Sequence, residues 1–231
     1  MTAKQISIAV GLLFASQQAA DAAQYIVAEA RGVAISVGTA IDSTKPLSLK
    51  QGQHLTLISD SGQTIKIDGP FQRAPEAQRG VDVVAALGGL VTERAARTSE
   101  LGTTRGAAPR PPLPGPWLID ATSSGGACLM QGEAPVLWRP VAKEAVAVVI
   151  TPSDRSWKAK TDWPANFGTL VLTKDLGVHG DASYFIALNG SESAISITTI
   201  PAVLTTDKMR AAWMIQKGCD RQAEALLRAA K

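Results

Sequence analysis

Histidine is scarce in this chain: only His54 and His179 occur among 231 residues. Zinc sites and Ser–His or Cys–His catalytic pairs need histidine at defined spacing from other reactive groups. The patterns G-x-S-x-G, S-x-x-K, H-E-x-x-H and C-x-x-C do not occur. We therefore expect no metal site, no cofactor and no catalytic residues.

The sequence also has no large excess of basic over acidic residues. Lysine and arginine total 23 against 20 acidic residues, which leaves a net charge of +3. Proteins that bind nucleic acid usually carry a strongly basic face, and no basic stripe interleaved with aromatic residues is present. This balance argues against a nucleic-acid partner.

Long apolar runs are missing after the first 22 residues. Met1–Ala22 itself has the pattern of a secretory signal peptide, with a charge at Lys4, an apolar stretch over Ile6–Ala15 and small residues at its end. The apolar stretch is shorter than the roughly 20 residues that span a bilayer. We expect a mature chain that begins near Ala23, is periplasmic or secreted, and is not inserted in the membrane. The alternative is a buried N-terminal helix.

There are only two cysteines, Cys128 and Cys219. In an oxidising compartment an even pair favours a disulfide bond. Two buried free thiols and a reactive Cys128 are the alternatives, because sequence spacing does not show whether the two residues meet.

Composition predicts a mainly β fold that begins with a small β-domain over residues 23–72. The predicted strands of this zone are Tyr25–Ala28, Val33–Val37, His54–Ile58 and Thr64–Ile67. The last two form a hairpin around Asp60-Ser61-Gly62, in which Gly62 supplies the left-handed residue of the loop. Leu55 and Leu57 then share a face with Ile65 and Ile67.

Residues 73–116 are predicted to be a helix followed by a linker. Apolar residues recur at helical spacing within 75–97, and the zone ends in the stiff, proline-rich sequence RPPLPGP. We place the domain boundary here, with the helix either docked on the β-domain or free.

Residues 117–231 are predicted to be a Trp-rich β-sandwich or barrel-like domain that ends in a short helical hairpin. The predicted strands are Trp117–Ile119, Val136–Trp138, Ala145–Ile150, Thr169–Leu172, Ser183–Leu188 and Ala194–Thr199. Thr205 or Thr206 caps the first helix, Gly218 ends it, and Asp220 opens the second. A bond between the cysteines would join this hairpin to the β-domain.

Two tryptophans, Trp157 and Trp163, fall in a polar segment that we interpret as a loop. Loop tryptophans with polar neighbours can anchor a protein partner or stack on a sugar ring. They can equally cover the end of a sandwich. We name both as candidate binding residues.

A hydrolase alternative would use the segment SSGGACL with His179. Ser123, Ser124 or Cys128 would then be the nucleophile, although no third orienting group is evident. His54 is expected to be an exposed residue on a hairpin strand.

The N-terminal zone resembles the FecR-type periplasmic β-domain. The matching residues are Leu47-Ser48-Leu49 before Gly52, the strand Leu55-Thr56-Leu57, Gly62, Ile65–Ile67 and Asp68-Gly69-Pro70-Phe71. The resemblance covers about a fifth of the chain, and the family often has an acidic residue where Gln53 stands. It implies an extracytoplasmic module for signalling or interaction, and it supplies no catalytic residue.

Together these features favour a secreted or periplasmic, non-enzymatic binding protein whose partner is an envelope or membrane protein. A carbohydrate- or peptidoglycan-binding module is the second hypothesis, and an envelope hydrolase is the third.

Overall fold

The structure is a computed structural model that describes residues 24–78, 80–87, 110–140 and 143–230. It is mainly β, with two β units and a helical hairpin at the C-terminal end, as the sequence predicts. The predicted signal peptide, Met1–Ala22, lies outside the described residues. Within the described ranges, no helix has both the length and the apolar character needed to cross a membrane.

The N-terminal unit contains six strands in two sheets. They are β1 (Gln24–Arg31), β2 (Ala40–Asp42), β3 (Leu47–Leu49), β4 (His54–Ser59), β5 (Thr64–Asp68) and β6 (Phe71–Arg73). An antiparallel sheet runs in the order β2-β1-β4-β5, and β3 pairs with β6. Apolar side chains of both sheets form one core, which includes Val27, Leu49, Leu57, Ile65 and Phe71.

The predicted hairpin is confirmed. Leu55 lies opposite Ile67 and Leu57 opposite Ile65, and Gly62 has a φ of 84°. The strand predicted over Val33–Val37 is wrong, because this segment forms a loop between β1 and β2.

The helix predicted over 75–97 begins later than expected. A 3-10 turn covers Pro75–Ala77, Val81 forms a β-bridge with Thr64, and the described helical residues are 83–87. The rest of the predicted helix lies outside the described residues. Val83, Val84 and Leu87 pack against a core that the N-terminal sheet shares with the C-terminal helices, so the described part of the helix is docked.

The C-terminal unit is a β-sandwich of eight strands. They are β7 (Leu118–Asp120), β8 (Gly125–Met130), β9 (Val136–Trp138), β10 (Val146–Pro152), β11 (Ala159–Trp163), β12 (Thr169–Val171), β13 (Ala182–Leu188) and β14 (Ser191–Ile200). One sheet has the order β11-β10-β13-β14-β8, and the other has the order β12-β9-β7. Their facing side chains form one core, including Leu137, Val148, Trp163, Leu172 and Ile186.

Two helices, α1 (Asp207–Gln216) and α2 (Asp220–Ala229), form the predicted hairpin. The Thr206 hydroxyl accepts a hydrogen bond from the Met209 N–H at the start of α1. Gly218, with a φ of 75°, lies between the two helices. The Cys128 and Cys219 sulfurs are 2.07 Å apart, so the predicted disulfide is present and ties the hairpin to β8.

The helical hairpin also packs on the N-terminal sheet. Ile26 of β1 and Ile58 of β4 share a core with Ile200 of β14 and with Trp213 and Met214 of α1. The two β units are therefore joined through the C-terminal helices rather than only through residues 73–116. On the outer face of the five-stranded sheet, the hairpin covers β8, where Cys128 and Met130 belong to this core, whereas Val149 of β10 and Phe185 of β13 stay partly exposed.

Candidate binding face on the five-stranded sheet

Trp163 is not a surface residue. Its side chain is fully buried, its Nε1 donates to the Phe167 carbonyl at 2.9 Å, and the Arg139 guanidinium lies 4.9 Å from its ring centroid. Trp163 lies opposite Val146, which is also buried, so strand alternation directs it into the sandwich. The prediction that Trp163 contacts a ligand is therefore wrong, and Ala159–Trp163 of the predicted loop is strand β11.

Trp157 lies outside the strands and is half-buried. Its ring centroid is 6.1 Å from that of Tyr184. It passes close to Gly177, where an added Cβ would lie 3.3 Å from Cζ2 of the indole. These contacts pack Trp157 against the edge of the sandwich core, and the same residue also lines a cleft on the outer face of the sheet.

That cleft has a volume of about 610 Å³. Its floor comes from β10 and β13, whose register places Val149 opposite Ala187 and Thr151 opposite Phe185. All four of these floor residues line the cleft, together with Arg155, Trp157, Lys158 and Glu192. The floor is apolar and the rim is charged, as is common in binding sites.

Arg155 is held over the floor by its loop. Its guanidinium lies 5.4 Å from the ring centroid of Phe185, within the range of a cation–π contact. The backbone of Arg155 has a φ of 57°, and its N–H donates to the Pro152 carbonyl at 2.9 Å. The Ser153 N–H also donates to the Ser183 carbonyl, which ties the loop to β13.

Asp154 gives the same loop its shape. Its carboxylate accepts hydrogen bonds from the Ser156 N–H at 3.0 Å and from the Ser156 hydroxyl at 2.7 Å. These bonds, the backbone one first, hold the pKa of the Asp154 carboxyl below its usual value. The carboxylate is therefore ionised at neutral pH and the turn that presents Arg155 is maintained.

The rim of the cleft is more basic than acidic. Arg155 and Lys158 line it with a single acid, Glu192. Lys160 and Asp162 also lie on this outer face, opposite Val149 and Ala147, and their two charges cancel. This arrangement favours an acidic ligand that also carries an apolar or aromatic group for Phe185 and Trp157.

The groups of the hydrolase alternative are not brought together. Cys128 is bonded to Cys219 and carries no free thiol. Ser123 and Ser124 line a cleft beside α2, whereas His179 lines a different one next to Leu172 and Val178. His54 is exposed and pairs with Asp68 across the hairpin. In the described part of the chain, no three His, Cys, Asp or Glu side chains are grouped to hold a metal ion.

Sequence reasoning named Trp157 but missed Arg155 and Phe185. One signal was present for Phe185, since in the strand SYFIAL it alternates with the inward Tyr184 and Ile186. Arg155 offers no comparable signal, because its contact with Phe185 depends on how β10 and β13 pair.

No family model, curated protein or solved structure matches this chain.

Proposed function

We propose that this chain is a secreted or periplasmic, non-enzymatic binding protein, and that it engages an envelope protein partner through the outer face of its five-stranded sheet. One observation carries the proposal: the exposed part of the sheet face, over β10 and β13, presents Phe185 beneath Arg155, with Trp157 lining the same cleft. Arginine and large aromatic residues dominate the binding energy of protein interfaces.

The partner should present an acidic segment with an apolar or aromatic side chain. Its carboxylates would pair with Arg155 and Lys158, and its apolar group would lie on Phe185 beside Trp157. The floor is rigid because it belongs to two central strands, β10 and β13. Binding to a preformed surface costs less conformational entropy than binding to a loop.

Two features support an extracytoplasmic location. The segment Met1–Ala22 has the pattern of a signal peptide, and the bonded Cys128–Cys219 pair is typical of an oxidising compartment. The resemblance of the N-terminal unit to FecR-type domains supports a role in interaction rather than catalysis.

The test is site-specific photo-cross-linking in intact cells. A photo-activatable residue at position 192, on the rim of the cleft, should capture an envelope protein that mass spectrometry identifies. The same residue at the exposed position 72, on β6 of the N-terminal unit, is the control. Capture from position 192 alone supports the proposal, whereas equal capture from both positions, or none from 192, contradicts it.

A matched pair of variants sharpens the result. Arg155→Ala removes the guanidinium over Phe185, and Arg73→Ala removes the equivalent guanidinium over Phe71, which lies 5.3 Å from that ring in the N-terminal unit. Only Arg155→Ala should abolish capture. If Trp157→Ala instead abolishes sedimentation with cell-wall sacculi while capture of a protein is never seen, the carbohydrate hypothesis replaces this one.

A further inference from the structure

The five-stranded sheet has one closed edge and one open edge. At β8, the Cys128 N–H donates to Gln222 Oε1 and the Cys128 carbonyl accepts from Gln222 Nε2. Gly126 also lies against the turn between the helices, since an added Cβ would be 2.7 Å from the Gly218 carbonyl oxygen. At the other edge, no described strand pairs with the outer side of β11.

Strand β11 carries opposite charges at alternate positions. Lys160 and Asp162 are both exposed, and they lie on the same outer face, opposite Val149 and Ala147 of β10. Thr161, between them, is the central residue of the five-residue strand Ala159–Trp163. An unpaired edge with free backbone groups is a template for another strand.

We infer that β11 pairs antiparallel with β11 of a second copy, about a two-fold axis at Thr161. In a continuous sheet, outward residues must lie opposite outward residues, because a slip of one residue reverses the faces. The allowed axes therefore pass through a residue, which within this strand means residue 159, 160, 161, 162 or 163.

Charge selects among these axes. An axis at residue 160 puts Lys160 opposite Lys160 of the second copy, and an axis at 162 puts Asp162 opposite Asp162. An axis at 159 puts Lys160 opposite Lys158, and an axis at 163 puts Asp162 opposite the uncharged Pro164. Only the axis at Thr161 puts Lys160 opposite Asp162 twice, and like charges directly opposite each other destabilise a strand pair. This axis also pairs all five residues of the strand.

Pairing through β11 produces a dimer and does not continue to larger assemblies. Among the described residues, each copy has a single open edge on this sheet, because β8 is covered by Gln222 and by the turn at Gly218. The two sheets would join into one of ten strands, with the two Arg155–Phe185 clefts on the same face. Five strand spacings of about 4.8 Å separate the two copies of β13, which places the clefts roughly 24 Å apart. Two linked clefts would bind a divalent partner more tightly than one.

The test is sedimentation equilibrium of the mature chain at about 0.1 to 1 mM, a range in which a weak dimer is populated. Lys160→Asp and Asp162→Lys should each weaken the dimer about tenfold, because each turns two attractive pairs into repulsive ones. The double variant, which exchanges the two charges, should restore dimerisation. A mixture of the two single variants should form a heterodimer.

Because both side chains are exposed, these substitutions leave the fold intact, as circular dichroism will show. A wild-type chain that stays monomeric over the whole concentration range overturns the inference. So does a dimer that survives both single variants unchanged. The result is separable from the proposed function, since capture of a partner at position 192 requires only one copy.

Discussion

The side-chain amide of Gln222 replaces a neighbouring strand for Cys128. The Cys128 N–H donates to Oε1 at 2.6 Å, and Nε2 donates to the Cys128 carbonyl at 2.8 Å, with both residues almost fully buried. A helix residue therefore satisfies the backbone of an edge strand 94 positions away in the sequence. Cys128 is also bonded covalently to Cys219, so two separate contacts hold the helical hairpin against the edge of β8.

We expect Gln222→Ala to lower the free energy of unfolding by about 2 to 4 kcal/mol, because it leaves two buried backbone groups of Cys128 without partners. Urea denaturation of the oxidised protein measures the change. Gln72→Ala, at an exposed position on β6, is the control and should change stability by less than about 0.5 kcal/mol. A Gln222→Ala effect as small as the control's would show that water replaces the amide.

Replacement of both cysteines by alanine should destabilise the protein by about 2 to 5 kcal/mol. The bond joins positions 91 residues apart, and closing a loop of that length restricts the unfolded chain by about 4 to 5 kcal/mol in the entropy model. Urea denaturation of the double variant and of wild type with reductant should give the same midpoint. A clear difference between these two midpoints would mean that the alanine side chains, and not the missing bond, cause the loss.

Short sequence patterns correctly predicted the elements that are held together by contacts between residues close to each other in the chain. The β4–β5 hairpin followed from Gly62 and from alternation on both sides of it. The helical hairpin followed from Thr206, Gly218 and Asp220. In each case the contacts that determine the element join residues only a few positions apart, so a local sequence pattern is enough to predict it.

The errors arise where pairing partners are distant. Strand β8 starts with two glycines and pairs in parallel with β14, about 70 residues later, so its sequence resembles a loop. Strand β11 carries polar residues on its outer face, which hid the buried Trp163 within a polar segment. Conversely, Val33–Val37 alternates like a strand, yet the edge of β1 beside it is occupied by β2.

The candidate site was only partly predictable for the same reason. Trp157 was found because tryptophan near charged residues is conspicuous. Its neighbour Phe185 and the cation Arg155 are brought to it by the β10–β13 register, which no local pattern specifies. Nor did any pattern indicate that Ile26 and Ile58 would share a core with Trp213.

The two candidate tryptophans should respond differently to substitution. Trp163→Phe removes a buried indole together with its hydrogen bond to Phe167, and should cost about 2 to 4 kcal/mol of stability. Trp157→Phe keeps an aromatic ring at a half-buried position and should cost less than about 1.5 kcal/mol. Thermal and urea unfolding of both variants test this. Equal losses would contradict the assignment of Trp157 to a cleft rim.

A substitution at Gly177 should disturb the cleft without touching its floor. Gly177 has a φ of 70°, and a Cβ there would lie 3.3 Å from the Trp157 indole, so Gly177→Ala combines backbone strain with displacement of the ring. Gly190→Ala is the matched control, because its φ is 81° but no atom lies within 4 Å of the added Cβ. Both variants should lose about 1 kcal/mol of stability from strain. Only Gly177→Ala should also change the near-ultraviolet circular dichroism of Trp157 and reduce partner capture from position 192. Identical behaviour of the two variants would mean that Trp157 adjusts without moving out of the cleft, and that its packing on Gly177 does not set the shape of the binding face.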